Sequence, residues 1–199
     1  DSVISDTVLA ALSPASITSL GNSIAIAPAG GYVYAAGGTT IYQFLRNSDT
    51  GLLSNLSPLT VTDSGNGIRN IAISHDGISA YTTSTTATSY LKTWDVSLAT
   101  GLVTASAFAN NNLGTVAGVP YVAPADNFVY VTDVVSGRIY QYSRAVTGEL
   151  TALSPAYITV TTPTKMCMNS GGTFVYVLSG ANILVLARNN TTGLITQTP

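Results

Sequence analysis

Charge is scarce in this chain of 199 residues: Asp, Glu, Lys and Arg together make up 8%, where an ordinary soluble domain carries roughly 25%. Seven Lys+Arg stand against nine Asp+Glu, the formal net charge is -2, and no basic run occurs. The chain therefore lacks the electrostatic footprint that phosphate backbones require, which excludes nucleic acid as a partner. Acid-base groups are scarcer still, with one histidine, His75, and one glutamate, Glu149. A single cysteine, Cys167, excludes an intramolecular disulfide framework and a thiolate zinc cluster. Its setting, "KMCMN", reads as a strand with Cys167 packed as a small apolar group. No stretch approaches the 18 or so consecutive apolar residues of a membrane span. Helical periodicity is missing too: apolar residues do not recur at three and four, and Pro, Gly and Thr interrupt too often.

What is present is a large apolar fraction, 46%, ample for a core, together with Ser and Thr at about a quarter of the chain. The surface is expected to be hydroxyl-rich and nearly uncharged. The sequence starts at Asp1 without a methionine, as an exported protein does after signal-peptide removal. An extracellular or cell-surface location is the expectation.

One phrase recurs. "IYQFLRNSDTGLL" at 41–53 returns as "IYQYSRAVTGEL" at 139–150 and as "ILVLARNNTTGLI" at 183–195, with "LKTWDVS" at 91–97 in the same role. Upstream of them lie "SIAIAPAGGYVYAAGG", "NIAISHDGISAYTTS", "VPYVAPADNFVYVTD" and "KMCMNSGGTFVYVLS". Four copies align, with Tyr34, Tyr81, Tyr130 and Tyr176 at one position and Gly51, Gly101, Gly148 and Gly193 at another. Within each copy, alternating runs such as "SIAIA" and "TIYQFLR" are separated by turns such as "PAGG" and "SDTG", which predicts four short strands. Four-stranded antiparallel units repeated every 40 to 50 residues or so predict an all-β protein of β-propeller type, because one such sheet cannot cover both its faces and must stack on its neighbours.

The strand ending "VYAA", "VYVT" or "VYVL", preceded by a "PAGG" or "HDGI" turn and followed by a strand and a "TG-L" turn, resembles the YVTN-type repeats of lactonase-like propellers, including 6-phosphogluconolactonase-type proteins. The resemblance covers about residues 20 to 199. It implies seven blades, where four copies are counted here, and a site of charged residues and histidine around the central channel. The blades are expected at about 21–63, 64–110, 111–161 and 162–199. Complete copies continue past the proline as "LSPLTVTD" (56–63) and "LSPAYITV" (153–160), whereas the fourth stops at "TGLITQTP". A matching "LSPASITS" stands at 12–19, so residues 1–20 are expected to act as a clasp strand completing the last blade, in cis or from a neighbouring chain.

Candidate site residues are few. His75 lies where other copies have Pro28 and Pro124, and Glu149 lies in a "TGEL" turn, so both read as turn residues rather than acid-base groups. Asp63, Asp76, Asp95, Asp126 and Asp133 are scattered singly without calcium-loop spacing. Turn chemistry accounts for them. "GNGIRN" and "AGGTT" read as loops. Arg46, Arg144 and Arg188 share one repeat position and are expected to bond a neighbouring blade's carbonyls, while the four tyrosines are expected between blades with their hydroxyls on polar partners. Asn55, Asn189 and Asn190 fit the N-linked acceptor pattern. No catalytic residue, cofactor or metal site is expected. These readings together favour a non-enzymatic, self-assembling structural protein, associating with its own copies through the N-terminal strand. The alternative is a lactonase-like hydrolase or ligand-binding propeller using its channel.

Overall fold

The computed structural model describes residues 21–197 apart from 66, 85–88, 115–116 and 125–126. Among the described residues every regular element is a strand, and the strands fall into four antiparallel sheets that follow chain order. The first holds β1 (Ser23–Ile26), β2 (Tyr32–Gly37), β3 (Thr40–Arg46) and β4 (Leu53–Thr62); the second β5 (Ile68–Ile73), β6 (Ser79–Ser84), β7 (Tyr90–Val96), β8 (Val103–Ala105) and β9 (Asn111–Asn112). The third holds β10 (Ala117–Val122), β11 (Phe128–Asp133), β12 (Arg138–Arg144) and β13 (Leu150–Thr159); the fourth β14 (Pro163–Met168), β15 (Phe174–Ser179), β16 (Asn182–Arg188) and β17 (Ile195–Gln197). These are the blades of a β-propeller. β9 pairs with β7, so the second blade ends two residues later than the sequence suggests.

Within a blade the turns explain the hairpins. The third and fourth strands are joined by a turn closed by the amide of Gly51, Gly101, Gly148 or Gly193 on a carbonyl three or four residues earlier. All four glycines have positive φ, between 70° and 91°, where a Cβ is disfavoured. Close packing adds a second reason: a side chain at Gly101 or Gly193 would collide with the ring of Tyr32 or Phe128 from the preceding blade.

Between blades the alternation of each strand sends one row of side chains forward and the other back. Tyr34, Ala36 and Ile41 meet Ile68, Ile71, Trp94 and Val103 of the second blade. Tyr81 and Leu91 meet Val129, Val131 and Tyr142 of the third, and Tyr130 and Ile139 meet Val175, Val177 and Leu186 of the fourth. Val33, Ala35 and Phe44 form a smaller cluster on the other side of the first blade. The innermost strands stack in turn, β1 on β5, β5 on β10 and β10 on β14. Among the described residues no comparable packing joins β14 to β1. On the far side of the fourth blade, where no further sheet lies among the described residues, Phe174, Tyr176, Leu178 and Ile183 are exposed. The expected clasp, residues 1–20, lies outside the described residues.

Candidate functional site at the channel

The channel side is built by the first strands of the blades, held to one another by polar contacts. Ser23 Oγ accepts the Ile71 amide at 3.2 Å, joining β1 to β5. Asn70 Nδ2 and Thr83 Oγ1 both donate to the Gly118 carbonyl, at 3.1 and 2.9 Å, joining the second blade to β10. Thr132 Oγ1 donates to the Thr164 carbonyl at 3.2 Å, joining the third blade to β14. Gly118 permits this close approach, since a Cβ there would strike Thr132 Oγ1.

A pocket of about 210 Å³ opens among the starts of β5, β10 and β14. Its polar lining includes Arg69, Asn70, Thr164 and Lys165, and its floor includes Gly118 and Val119. These are the same two repeat positions in three successive blades: Arg69–Asn70, Gly118–Val119 and Thr164–Lys165 each lie five and four residues before the end of the inner hairpin arm, at Ser74, Ala123 and Asn169. The segment "GNGIRN", read above as a loop, thus delivers Arg69 and Asn70 to the inner strand β5.

The chain's seven cationic side chains sort by what they touch. Lys92 pairs with Asp63 at 3.2 Å and lies over the Trp94 ring, and Arg138 stacks on Tyr157. Arg46, Arg144 and Arg188 hydrogen-bond within or between blades. Only Arg69 and Lys165 are left, exposed and without a hydrogen bond or ion pair among the described residues, and both line the pocket. Two cations without counter-ions in one concavity form an anion-attracting site.

The repeat positions singled out from sequence lie away from this pocket, in the seams. Tyr34, Tyr81 and Tyr130 are fully buried and donate to the carbonyls of Gly101, Gly148 and Gly193 in the next blade. Burial pushes the Tyr34 hydroxyl up to about 12 and raises Tyr81 as well. Arg144 Nε donates to Tyr81 Oη at 2.7 Å, and Arg188 Nε to Tyr130 Oη. The arginines therefore reach back to a neighbouring blade's tyrosine, where carbonyls were expected. Arg144 also pairs with Asp76 at 2.8 Å. Partial burial works to raise the Asp76 carboxyl, but hydrogen bonds from Ser74 and the Ile78 amide and the Arg144 guanidinium outweigh it and hold the carboxyl below its ordinary value.

Tyr176 departs from the set. It is 37% exposed where its three equivalents are 0%, because no sheet among the described residues covers the fourth blade, and Cys167 on the same face is exposed for the same reason rather than packed. Arg46 reaches only the Gly30 carbonyl of its own blade, at 3.3 Å. His75 and Glu149 lie in turns at the end of the sheets opposite the pocket, and Asp133 caps a turn by accepting the Val135 and Ser136 amides. Asp126 lies outside the described residues. Asn55, Asn189 and Asn190 are exposed, Asn189 shaping its turn through Thr191 and Thr192 and Asn190 bridging Arg188 and the Gly171 carbonyl.

The blades, the seam pattern and the channel pocket define a propeller protein. Residues 22–199 match the family model described as lactonase, 7-bladed beta-propeller, and the chain belongs to that family. Among solved structures, it is similar to a candidate 6-phosphogluconolactonase from Bacteroides fragilis, with a TM-score of 0.74 at 18% identity over 87% of this chain and 52% of the other. The periplasmic gluconolactonase PpgL of Pseudomonas aeruginosa gives a TM-score of 0.74 at 14% identity over 92% and 58%. A candidate 6-phosphogluconolactonase from Bacteroides uniformis gives 0.72 at 16% over 89% and 53%. The chain thus spans little more than half the length of these structures. No curated protein matches the chain.

Family membership overturns the expectation of a non-enzymatic structural protein: the family model that matches residues 22–199 is described as lactonase, and the alternative reading is the better supported. The error came from searching the repeat positions for histidine and glutamate. The charged side chains that line the pocket lie instead on inner-strand positions that differ from blade to blade.

Proposed function

We propose that this chain forms part of a lactone-hydrolysing propeller, with Arg69 and Lys165 holding negative charge in the channel pocket. The observation that carries the reading is that the only two cationic side chains without a structural partner among the described residues line one pocket, in a chain of the lactonase family. Opening a lactone adds water oxygen to the ring carbonyl carbon, so the carbonyl oxygen takes up negative charge. The ring C–O bond then breaks, its oxygen leaves as a hydroxyl after taking a proton, and a carboxylate with one released proton remains. A guanidinium and an ammonium facing that carbonyl stabilise both the transient oxyanion and the carboxylate product. Asn70 and Thr164 add polar contacts that suit the hydroxyls of a sugar lactone.

The test is proton release from gluconolactone and 6-phosphogluconolactone in a pH-stat, read above the spontaneous rate. Arg69→Ala and Lys165→Ala should each lower kcat/KM by about a hundredfold, the scale for loss of one oxyanion donor. Both side chains are exposed, so thermal stability should stay put. Hydrolysis no faster than background for either lactone, or full activity in both variants, refutes the assignment.

A further inference from the structure

The three inner strands that line the channel pocket share an irregularity. In β5, Ile68 lies opposite Ser84 and Asn70 opposite Thr83, so Arg69 is one residue more than the partner strand matches. In β10, Gly118 and Val119 together face Thr132, between the pairs Ala117–Asp133 and Pro120–Val131. In β14, Thr164 is the extra residue between Pro163–Ser179 and Lys165–Leu178. Side chains of a regular strand alternate between its two faces, so two neighbours do not both reach one pocket. A bulge re-aims one of them. The lining includes such neighbouring pairs in all three strands, Arg69–Asn70, Gly118–Val119 and Thr164–Lys165. β1 pairs with β2 residue for residue, and its residues are not part of the lining.

A bulge also breaks the ladder of main-chain hydrogen bonds, and a carbonyl displaced from it needs another donor. At two of the bulges a threonine of the preceding blade supplies one. Thr83 Oγ1 donates to the Gly118 carbonyl at 2.9 Å, and Thr132 Oγ1 to the Thr164 carbonyl at 3.2 Å. Both threonines are fully buried and stand two residues after the seam tyrosines Tyr81 and Tyr130. The bulge of β14 is the more demanding of the two. Thr162, just before it, has a φ of 44°, a left-handed conformation that strains a β-branched residue. The course of the chain here is therefore maintained by contacts and not by local preference. Ser179 Oγ donates to the Thr161 carbonyl, Thr164 Oγ1 donates to the Leu178 carbonyl at 3.1 Å, and Thr132 reaches in from the neighbouring blade.

We propose that Thr132 is a positioning residue for Lys165, its hydroxyl fixing the bulge that carries this cation into the pocket. The carbonyl it grips belongs to the peptide unit joining Thr164 to Lys165. That unit is planar, so holding its oxygen sets the direction in which the Lys165 side chain departs. Gly118 is part of the arrangement, since it faces Thr132 and a Cβ there would take the space of the hydroxyl. The consequence for lactone hydrolysis rests on the function proposed above, whereas the placement of Lys165 stands on the bulge and its latch.

Thr132→Val removes the hydroxyl and keeps the shape, while Thr132→Ser keeps the hydroxyl. NMR relaxation of the Lys165 backbone amide reads the placement directly: its order parameter should fall from about 0.85 to below about 0.6 in Thr132→Val and hold in Thr132→Ser. Gly118→Ala, whose methyl displaces the hydroxyl, should loosen the same amide. In gluconolactone hydrolysis Thr132→Val should lower kcat about tenfold, less than the hundredfold or so that a misplacement of about 1 Å can cost, because the long lysine side chain recovers part of the shift. KM should hardly move, since the interaction lost acts in the transition state. Thr132→Ser should restore kcat, and in a Lys165→Ala background Thr132→Val should cost nothing further. A threonine with a merely structural role would slow both backgrounds equally. A rigid Lys165 amide in Thr132→Val, or equal losses with and without Lys165, overturns the proposal, as does full activity of Thr132→Val where Lys165→Ala is impaired. If the chain hydrolyses no lactone, or Lys165→Ala works at the wild-type rate, the functional reading falls and the relaxation measurement alone decides the placement.

Discussion

Replacing Tyr81 by Phe removes one oxygen from a seam and leaves its packing alone, so the cost isolates the polar latch. The Tyr81 hydroxyl donates to the Gly148 carbonyl at 3.0 Å and accepts from Arg144 Nε at 2.7 Å, and Arg144 is buried. Loss of the neutral bond costs about 1 kcal/mol, and leaving a buried charged donor short of an acceptor adds about 1.5 kcal/mol. Tyr34→Phe is the matched control. Its hydroxyl meets the Gly101 carbonyl in the same way, but Val96 stands where the other seams have arginine, so only the neutral bond is lost. Urea unfolding should therefore show a destabilisation of about 2.5 kcal/mol for Tyr81→Phe and about 1 kcal/mol for Tyr34→Phe at unchanged m. In thermal melts that is roughly 5–10 °C against 2–4 °C. Adding Arg144→Met to Tyr81→Phe should cost less than the sum of the two single changes. Equal costs for the two tyrosines would refute the claim that the arginine bond adds to the strength of the latch.

Tyr130→Ala, which removes a fully buried ring as well as its hydroxyl, should cost about 3 kcal/mol or more in the same assay. Gly193→Ala places a methyl at φ 73° against the Phe128 ring and should cost at least about 1–3 kcal/mol, with no comparable loss for Gly31→Ala, where nothing lies nearby. Tyr34 stays protonated in the folded chain up to about 12, while an unfolded tyrosine ionises near 10; stability should be intact below pH 10 or so and fall between there and 12, a decline that Tyr34→Phe should reduce. Asp76 works the other way. Its lowered carboxyl value means that its contribution is present above the unfolded value of roughly 3.9 and is lost as pH falls below it, so Asp76→Asn should flatten the acid limb of a pH-stability curve.

The fold was legible because a repeat reports its own register. Tyrosine before the second turn and glycine after the third strand recur in all four copies, and the structure pairs three of each in one kind of seam. The exposure of Tyr176 was not legible, since it carries the same local signal as Tyr130 and differs only in having no sheet over it among the described residues. Cys167 was misread for the same reason. The channel residues were hidden differently. Arg69 and Lys165 occupy adjacent repeat positions in different blades, so each stands alone in the alignment and neither forms a motif. A usable signal was there: the inner-strand positions carry Asn22–Ser23, Arg69–Asn70, Gly118–Val119 and Thr164–Lys165, the kind of copy-to-copy variation expected where packing no longer dictates the residue.

The seams also carry a second fastening, and its distribution bears on how such a chain can diverge. Gln43 and Gln141 each bind their own outer strand at the Pro58 or Pro155 carbonyl and accept the amide of Val103 or Ile195 from the next blade. In the second blade Thr93 stands there instead, too short to cross, and its buried hydroxyl has no hydrogen-bond partner. The first seam thus keeps the glutamine and lacks the arginine, the second keeps the arginine and lacks the glutamine, and the third has both. The first two joints hold with one fastening of the two, so either can be lost by mutation while the other holds the register. Such redundancy lets neighbouring blades drift apart in sequence, freeing the channel positions of each to acquire a different chemistry.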